Sequence, residues 1–312
     1  MINSTKLGLG TFPLANVFGS INEIEIERIL HLFYEAGGRH LDTAPLYGSG
    51  KVEEILGLMN SRFPRNQFKL STKCGYSRSN RSEAVISGRP GDIIEGFDAS
   101  LRRLRSDFVE VLVLHRPDSN IDPAETAGAM AQLKKAGKVR HLGISNVTLP
   151  ELIAYNVDGT YTFLQQRCSF LNLLEDNLLT YCRKHKIKIV GYQALERGLF
   201  TNRILEPFKI THGDLRNSKQ EFRADVVAGI RKWIYADILP IASELDTSIE
   251  ILALWWTIMR FGLEACLVGV TSQQQILNNL KVGEFFPPSD TLDRLNKCLG
   301  RLPNLLRGES GT

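Results

Sequence analysis

The sequence predicts an α/β fold, a (β/α)8 TIM barrel in which the 312 residues form a single domain. Eight short apolar segments alternate with segments of helical periodicity, as a barrel of parallel strands requires. A doubly wound sheet would show the same alternation, but a glycine fingerprint would follow its first strand. Here Gly8 and Gly10 are followed by Pro13 where the third glycine would stand, and no P-loop spacing occurs. These observations favour the closed barrel.

The first half of the chain gives four strands, each followed by a helix. In the first helix Ile29 and Phe33 share one face, and Gly37 ends it. We expect Asp92 to cap the third helix and Pro123 to lie in the first turn of the fourth. In chain order the predicted elements are strand Lys6–Thr11, helix Ile21–Ala36, a strand from His40, helix Val52–Met59, strand Phe68–Lys73, helix Asp92–Leu104, strand Phe108–Leu114 and helix Asp122–Ala136.

The second half continues the alternation. The predicted elements are strand Val139–Ser145, helix Pro150–Asn156, strand Thr162–Arg167, helix Glu175–His185, strand Ile187–Tyr192, helices Phe222–Leu245 and Ser248–Arg260, strand Ala265–Gly269 and helix Gln273–Leu280. A further helix, Thr291–Leu299, belongs to a C-terminal helical extension over residues 287–312. It follows the pair Pro287 and Pro288, which separates it from the barrel.

Two long polar segments interrupt this pattern. The segment Gly75–Pro90 is rich in Ser, Arg and Gly, and predicts a loop over the ends of the strands. The segment Glu196–Gln220 is too long for a plain link, so we interpret it as a functional lid.

Composition argues against several classes of protein. The net charge of +4 is mild and the basic residues are scattered among acids, so a nucleic-acid role gains little support. Met1–Lys6 lacks the apolar stretch of a signal peptide, and the apolar run Ile249–Met259 is too short to span a bilayer. Five cysteines, an odd number with no CxxC pair, favour reduced thiols and argue against a zinc site or a disulfide framework. We therefore expect a cytoplasmic protein without membrane partners.

Four polar side chains stand at the ends of three consecutive predicted strands. Asp42 and Tyr47 belong to the segment His40–Gly48, Lys73 ends the third strand, and His115 closes the fourth. The carboxyl ends of barrel strands meet at one face, where catalytic residues cluster. The four side chains are therefore expected to share one pocket.

These residue types suit the reduction of a carbonyl group by a hydride donor. The developing alkoxide needs a proton, and a free tyrosine, with a pKa of about 10, is a reluctant acid. A neighbouring ammonium lowers that pKa, and a buried carboxylate keeps the lysine charged and oriented. A histidine beside the tyrosine can orient the carbonyl oxygen and share the proton. Because no side chain carries a hydride, the reaction also needs a cofactor.

Six motifs between about Leu7 and Leu280 resemble those of the aldo-keto reductase family. They are Gly8–Thr11 (GLGT), Leu41–Gly48 (LDTAPLYG), Ser71–Lys73 (STK), Leu114–Asp118 (LHRPD), Gly137–Asn146 (GKVRHLGISN) and Gly191–Leu199 (GYQALERGL). The resemblance implies that Tyr47 donates the proton, that Lys73 and Asp42 tune it, and that His115 positions the carbonyl of a small-molecule substrate.

The family binds an extended nicotinamide cofactor without a Rossmann fold, and this resemblance implies a set of cofactor contacts. They are Ser145, Asn146 and Gln166 for the carboxamide, Tyr192 stacked on the nicotinamide ring, Arg197 and Arg216 for the pyrophosphate, and Gly269, Thr271, Gln275 and Asn279 for the adenosine half. NADPH is the first expectation. NADH is its rival, because Gln275 stands where NADPH-preferring members commonly place a cation for the 2′-phosphate.

The sequence leaves the substrate open. The polar loops favour a sugar or sugar derivative, whereas Arg116, which follows the catalytic histidine, would favour a carboxylate or phosphate if it faces the pocket. Two other functions also remain: a barrel aldolase with Lys73 as a Schiff-base nucleophile, and a nucleotide-sensing subunit with little turnover. The sequence decides neither the reaction direction nor the oligomeric state.

Overall fold

A computed structural model describes residues 6–60, 67–78, 84–156, 158–207, 210 and 212–302. Its strands are β1 (Leu7–Gly10), β2 (His40–Asp42), β3 (Lys69–Cys74), β4 (Tyr76–Arg78), β5 (Ala84–Ile86), β6 (Val109–Leu114), β7 (Val139–Ser145), β8 (Phe163–Arg167), β9 (Lys188–Tyr192) and β10 (Ala265–Val268). Eight of them close into a barrel in the order β1-β10-β9-β8-β7-β6-β3-β2, with every neighbouring pair parallel. The predicted (β/α)8 barrel is confirmed.

Helices follow the barrel strands. They are α1 (Glu23–Glu35), α2 (Lys51–Asn60), α3 (Pro90–Leu104), α4 (Pro123–Lys135), α5 (Leu149–Tyr155), α6 (Asp176–Lys184), α7 (Ala224–Trp233), α8 (Leu239–Glu244), α9 (Ile249–Phe261), α10 (Gln273–Leu280) and α11 (Thr291–Leu299). Side-chain caps begin several of them: Asn22 accepts from the N–H of Glu25, and Ser248 accepts from that of Ile251. In the described ranges, no helix is long and apolar enough to cross a membrane.

Apolar packing between the barrel and its helices forms the main core. Helix α9 is buried on almost every side, and the indole of Trp256 is fully enclosed. Helices α2 and α3 approach closely at Gly57, where an added Cβ would lie 2.1 Å from the carbonyl oxygen of Arg103. Only glycine allows this contact.

Strand register brings the predicted chemistry to one edge of the barrel. Asp42 at the end of β2 lies opposite Ser71 on β3, and Lys73 lies opposite Val113 on β6. His115 follows β6 directly, and its backbone N–H donates to the carbonyl of Cys74 at 2.9 Å. The carboxyl ends of β2, β3 and β6 are therefore neighbours.

Three predictions about individual elements are corrected by the structure. The helix predicted over Phe222–Leu245 divides into α7, a π-helical turn at 234–238, and α8. Pro240 explains the division, since it lies in the first turn of α8 and lacks the N–H that a continuous helix would use. The loop predicted at Gly75–Pro90 contains the antiparallel hairpin of β4 and β5, although residues 79–83 lie outside the described part.

The start of α3 also differs from the prediction. Pro90 opens the helix and Arg89 is its N-cap residue, so Asp92 lies in the first turn instead of capping it. The carboxylate of Asp92 accepts from the hydroxyl of Ser87 at 2.5 Å, and an acid in the first turn suits the helix dipole.

The remaining polar connection, residues 196–220, contains short 3₁₀ turns in its described part. In the C-terminal extension, α11 has the predicted bounds. Residues 303–312 of that extension lie outside the described residues.

Candidate active site

A buried ion pair lies at the centre of the candidate site. The ammonium of Lys73 lies 2.6 Å from Oδ2 of Asp42 and also donates to the backbone carbonyl of Thr43 at 2.9 Å. Lys73 is 4% exposed and Asp42 is 3% exposed. Burial alone lowers the pKa of Lys73, but the attraction of Asp42 and Tyr47 and the hydrogen bonds to them outweigh that effect and raise it. The lysine therefore stays an ammonium.

The second carboxylate oxygen of Asp42 is held by two neutral donors. Its Oδ1 accepts from Ser71 Oγ at 2.9 Å and from Gln165 Nε2 at 3.0 Å. Ser71 Oγ also lies 2.9 Å from Nε2 of His40, so the imidazole must donate while the serine donates to Asp42. These contacts fix the carboxylate plane, and with it the direction in which Lys73 points.

Tyr47 lies beside the ammonium. Lys73 Nζ lies 5.2 Å from the centroid of the Tyr47 ring, and its charge favours the phenolate form. Burial raises the pKa of Tyr47 more than Lys73 lowers it, so the net direction is upward. The predicted lowering by the ammonium is present, but it is the smaller effect. Tyr47 is thus a neutral phenol at neutral pH.

His115 completes the group of four side chains. Its ring lies edge-on to Tyr47, with 6.5 Å between centroids, and to Tyr76 on β4, at 5.3 Å. Burial, followed by repulsion from Lys73, lowers the pKa of His115 to about 3. Its buried Nδ1 has no hydrogen-bond partner among the described residues. The imidazole is therefore neutral at neutral pH. The sequence-based prediction that His115 shares the proton as an acid is not supported.

A cavity of about 770 Å³ opens above these groups. The predicted site residues that line it are Asp42, Tyr47, Lys73, His115, Ser145, Asn146, Tyr192, Arg197, Arg216, Gly269, Thr271, Gln275 and Asn279. Arg116 also lines it and is exposed there. The predicted residues therefore come together in one cavity, with one exception.

The exception is Gln166. Its Oε1 accepts from the backbone N–H of Asn146 at 2.8 Å, and its Nε2 donates to the carbonyl of Val147 at 2.6 Å, so both ends of the amide bind backbone. Gln165 lines the cavity instead, and its buried Oε1 has no partner among the described residues. Successive side chains of a strand face opposite ways, and the register of β8 turns Gln165 inward.

Polar contacts along β7 and β9 fix one wall of the cavity. Asn146 has a left-handed backbone (φ 58°), and its amide donates to Ser145 Oγ at 2.9 Å and to the carbonyl of His115 at 3.0 Å. The hydroxyl of Tyr192 donates to Asn146 Oδ1 at 2.5 Å. Tyr192 is therefore held with its ring against the cavity.

Ion pairs hold two of the cations contributed by the 196–220 connection. Arg197 pairs with Glu221, and Arg216 donates to Asp214 from Nε, at 3.0 Å, and from Nη2, at 2.5 Å. Burial lowers the pKa of Arg197. Arg197 and Gln193 both line the cavity, and Nε of the first and Oε1 of the second are buried without a partner in the described residues, so this wall could bind a polar ligand.

The far end of the cavity is formed by β10 and α10. An added Cβ at Gly269 would lie 2.6 Å from Cγ of Pro13, so only glycine fits where the first loop crosses β10. Asn279 is buried, whereas Gln275 is exposed at the rim. In the described residues, no three His, Cys, Asp or Glu side chains come together as metal ligands could.

The barrel, its cavity and the Asp-Tyr-Lys-His group define a class of protein, and a family model identifies it. The model of the aldo/keto reductase family matches residues 6–299. The chain belongs to this family of oxidoreductases, and the predicted resemblance is confirmed.

Relatives agree with this assignment. The chain is 28% identical to an aldo-keto reductase of Bacillus subtilis, over 88% of this chain and 84% of that one. It is 27% identical to the NADH-specific methylglyoxal reductase of Escherichia coli, over 89% of this chain and 90% of that one. The structure of a glycerol dehydrogenase from Gluconobacter oxydans shares the fold, with a TM-score of 0.85 at 23% identity, covering 95% of this chain and 92% of the other.

Proposed function

We propose that the protein reduces an aldehyde or ketone to an alcohol with a nicotinamide cofactor, and that Tyr47 donates the proton. The observation that carries this proposal is the arrangement of Tyr47 and His115 around the Lys73–Asp42 pair at the mouth of the barrel, beside a cavity of about 770 Å³. A relative from Escherichia coli bears the name methylglyoxal reductase, and a structural neighbour is a glycerol dehydrogenase. Both names concern the interconversion of carbonyl and hydroxyl groups.

The protonation states support Tyr47 as the acid. Burial raises its pKa, so the phenol holds its proton until negative charge develops on the substrate oxygen. Lys73, still an ammonium, stabilises the phenolate left behind, and Asp42 keeps that ammonium in place at 2.6 Å. When bound, the cofactor supplies the hydride.

The same reasoning limits His115 to positioning the carbonyl. A neutral imidazole can donate one N–H hydrogen bond to the substrate oxygen. It has no second proton to give, because burial lowers its pKa to about 3. Of the four groups, Lys73 also carries protons, but its raised pKa and its bonds to Asp42 and Thr43 keep them in place, which leaves Tyr47 as the proposed donor.

The residues present fit an extended nicotinamide cofactor. Tyr192 presents its ring to the cavity, while Ser145 and Asn146 offer polar atoms beside it. We propose that Gln165, with its unpartnered Oε1, takes the carboxamide contact first assigned to Gln166. The unpartnered Nε of Arg197 suits the pyrophosphate, together with Arg216. Gly269, Thr271, Gln275 and Asn279 remain the proposed adenosine contacts.

The alternative in which Lys73 forms a Schiff base is disfavoured. A nucleophilic lysine needs a lowered pKa so that its amine is free. The pKa of Lys73 is raised, and its ammonium donates to both Asp42 and Thr43. Borohydride trapping with a carbonyl substrate is therefore expected to leave Lys73 unmodified, as read by mass spectrometry.

Cellular location is part of the proposal. All five cysteines, Cys74, Cys168, Cys182, Cys266 and Cys298, are buried and free. Reduced thiols are usual in the cytosol, which supports a cytoplasmic protein.

The central experiment is the Tyr47→Phe variant. We expect turnover of carbonyl substrates to fall about 10²- to 10⁴-fold while cofactor affinity, measured by fluorescence quenching, stays unchanged. Tyr181→Phe is the matched control, because Tyr181 stacks on His185 and does not line the cavity. Unchanged turnover in Tyr47→Phe would overturn the assignment. Tight cofactor binding by the unaltered protein, without turnover of any carbonyl in a broad panel, would favour the nucleotide-sensing alternative.

A further inference from the structure

The polar hydrogens of the turn that leads into α10 form hydrogen bonds within the turn itself. The backbone N–H of Thr271 donates to Oε1 of Gln275 at 2.8 Å, and the Thr271 hydroxyl lies 3.3 Å from the same oxygen. The N–H of Gln275 in turn donates to Ser272 Oγ at 3.4 Å. Thr271 and the backbone N–H of Gln275 therefore already have partners within the turn.

A carboxylate from another helix occupies the next donor. Glu25, in the first turn of α1, accepts the backbone N–H of Gln273 at 3.0 Å through Oε1 and the Gln273 amide at 2.8 Å through Oε2. Gln273 is the first residue of α10, on the same helical turn as Gln275. A negative charge therefore stands at the end of α10 where an anion would otherwise be attracted.

No cation offsets this charge within the segment itself. Residues 269–280 contain no charged side chain. The basic residues that line the cavity in the described part all belong to other segments, and they are Lys73, Arg116, Arg197, Arg203, Arg216 and Lys219. A phosphate monoester carries a charge of about −1.5 to −2 at neutral pH and is usually bound by arginine or by free backbone N–H groups.

We propose that this end of the cavity selects NADH over NADPH, with Glu25 as a specificity-determining residue and Gln275 as its uncharged counterpart at the rim. The inference rests on the proposed function, in which Thr271 and Gln275 contact the adenosine ribose. The ribose hydroxyls of NADH can donate to the neutral oxygen of Gln275. The 2′-phosphate of NADPH needs donors instead, and it would be repelled by the charge of Glu25, which is held against Gln273 at the start of α10. NADH is thus favoured over the first expectation of NADPH.

Fluorescence titration of the full-length protein with both dinucleotides at low salt tests this inference. We expect NADH to bind at least about tenfold more tightly than NADPH, which corresponds to about 1.4 kcal/mol. Competition by 5′-AMP and 2′,5′-ADP tests the adenosine half of each dinucleotide alone. We expect 5′-AMP, which lacks the 2′-phosphate, to compete more strongly than 2′,5′-ADP. Higher salt should reduce the difference, because like-charge repulsion is screened.

Two variants assign the cause. Glu25→Gln keeps the shape and one hydrogen bond to Gln273 but removes the negative charge. It should strengthen NADPH binding by about threefold or more and leave the affinity for NADH unchanged. Gln275→Arg should strengthen NADPH binding further. Glu23→Gln is the matched control, because Glu23 is an exposed acid in the same turn of α1.

The outcomes separate the two proposals. Equal or tighter binding of NADPH by the unaltered protein would overturn this inference and leave the proposed function intact. Equal effects of Glu23→Gln and Glu25→Gln would also overturn it, since net charge would then explain both. Failure to bind either dinucleotide would reject the proposed function as well.

Discussion

Replacing His115 by glutamine should make the protein less sensitive to mild acid. Burial, helped by repulsion from Lys73, lowers the pKa of His115 in the folded protein to about 3, whereas an unfolded histidine has a pKa of about 6.5. Between these two pKa values His115 binds a proton in the unfolded chain but not in the folded chain. Protonation of His115 therefore leaves the free energy of unfolding unchanged above about pH 6.5 and lowers it as the pH falls below that value.

The size of the effect follows from the two pKa values. Each pH unit below about 6.5 costs about 1.4 kcal/mol until the folded pKa is approached. At about pH 5 the unaltered protein should therefore have lost about 2 kcal/mol through this histidine. His40, whose pKa burial also lowers, adds a further loss that is the same in both proteins. The difference between the two proteins isolates His115.

Urea denaturation at about pH 7.5 and about pH 5 measures this difference. The His115→Gln variant should lose about 2 kcal/mol less than the unaltered protein over that interval, whatever its stability at the higher pH. His212→Gln is the control, because the side chain of His212 is exposed, far from the buried group of four residues in sequence and outside the cavity lining. Equal acid sensitivity in all three proteins would show that His115 takes up a proton normally, and the argument for a neutral imidazole would fail.

The remaining predictions concern the ion pair and the pocket wall. Lys73→Met leaves the carboxylate of Asp42, only 3% exposed, without its cation, so the free energy of unfolding in urea should fall by about 3–5 kcal/mol. Adding Asp42→Asn to Lys73→Met should restore part of the lost free energy of unfolding. A loss below about 1 kcal/mol in Lys73→Met alone would contradict the prediction. Arg116→Ala should reduce kcat/KM for acidic carbonyl substrates more than for neutral ones, because Arg116 lines the cavity and is exposed. Equal losses would exclude a role in charge selection.

The alternation of apolar segments was enough to predict the barrel, because each strand must bury its side chains and each helix one face. β7, α10 and α11 have the predicted bounds. Errors arose where a local signal competed with others. Asp92 is a good capping residue, but Pro90 starts the helix two residues earlier. The hairpin in Gly75–Pro90 has little periodicity in its short strands, so a sequence pattern could not reveal it.

The placement of the four central side chains could be predicted because each lies at the end of a strand or just past it, but their protonation states could not. The pKa of Tyr47 depends on a competition between burial and a nearby ammonium, and only the structure gives the depth of burial. The sequence shows the ammonium but not the burial, so the predicted net direction for Tyr47 was wrong. The burial of His115, which removes its second proton, is likewise visible only in the structure.

The pair Gln165 and Gln166 shows where sequence reasoning about this site reaches its limit. A motif identifies a segment, but the strand alternates its side chains with a period of two, so a shift of one residue exchanges the inside for the outside. On β8 the inward residue is Gln165, and its amide nitrogen is spent on Asp42 at 3.0 Å. Its buried oxygen is then the end left without a partner, which suits an NH₂ donor such as a carboxamide. The same hydrogen bond that orients Asp42 therefore also sets which atom of Gln165 is left unpaired, so the proposed proton donor and the proposed cofactor contact are linked through one side chain.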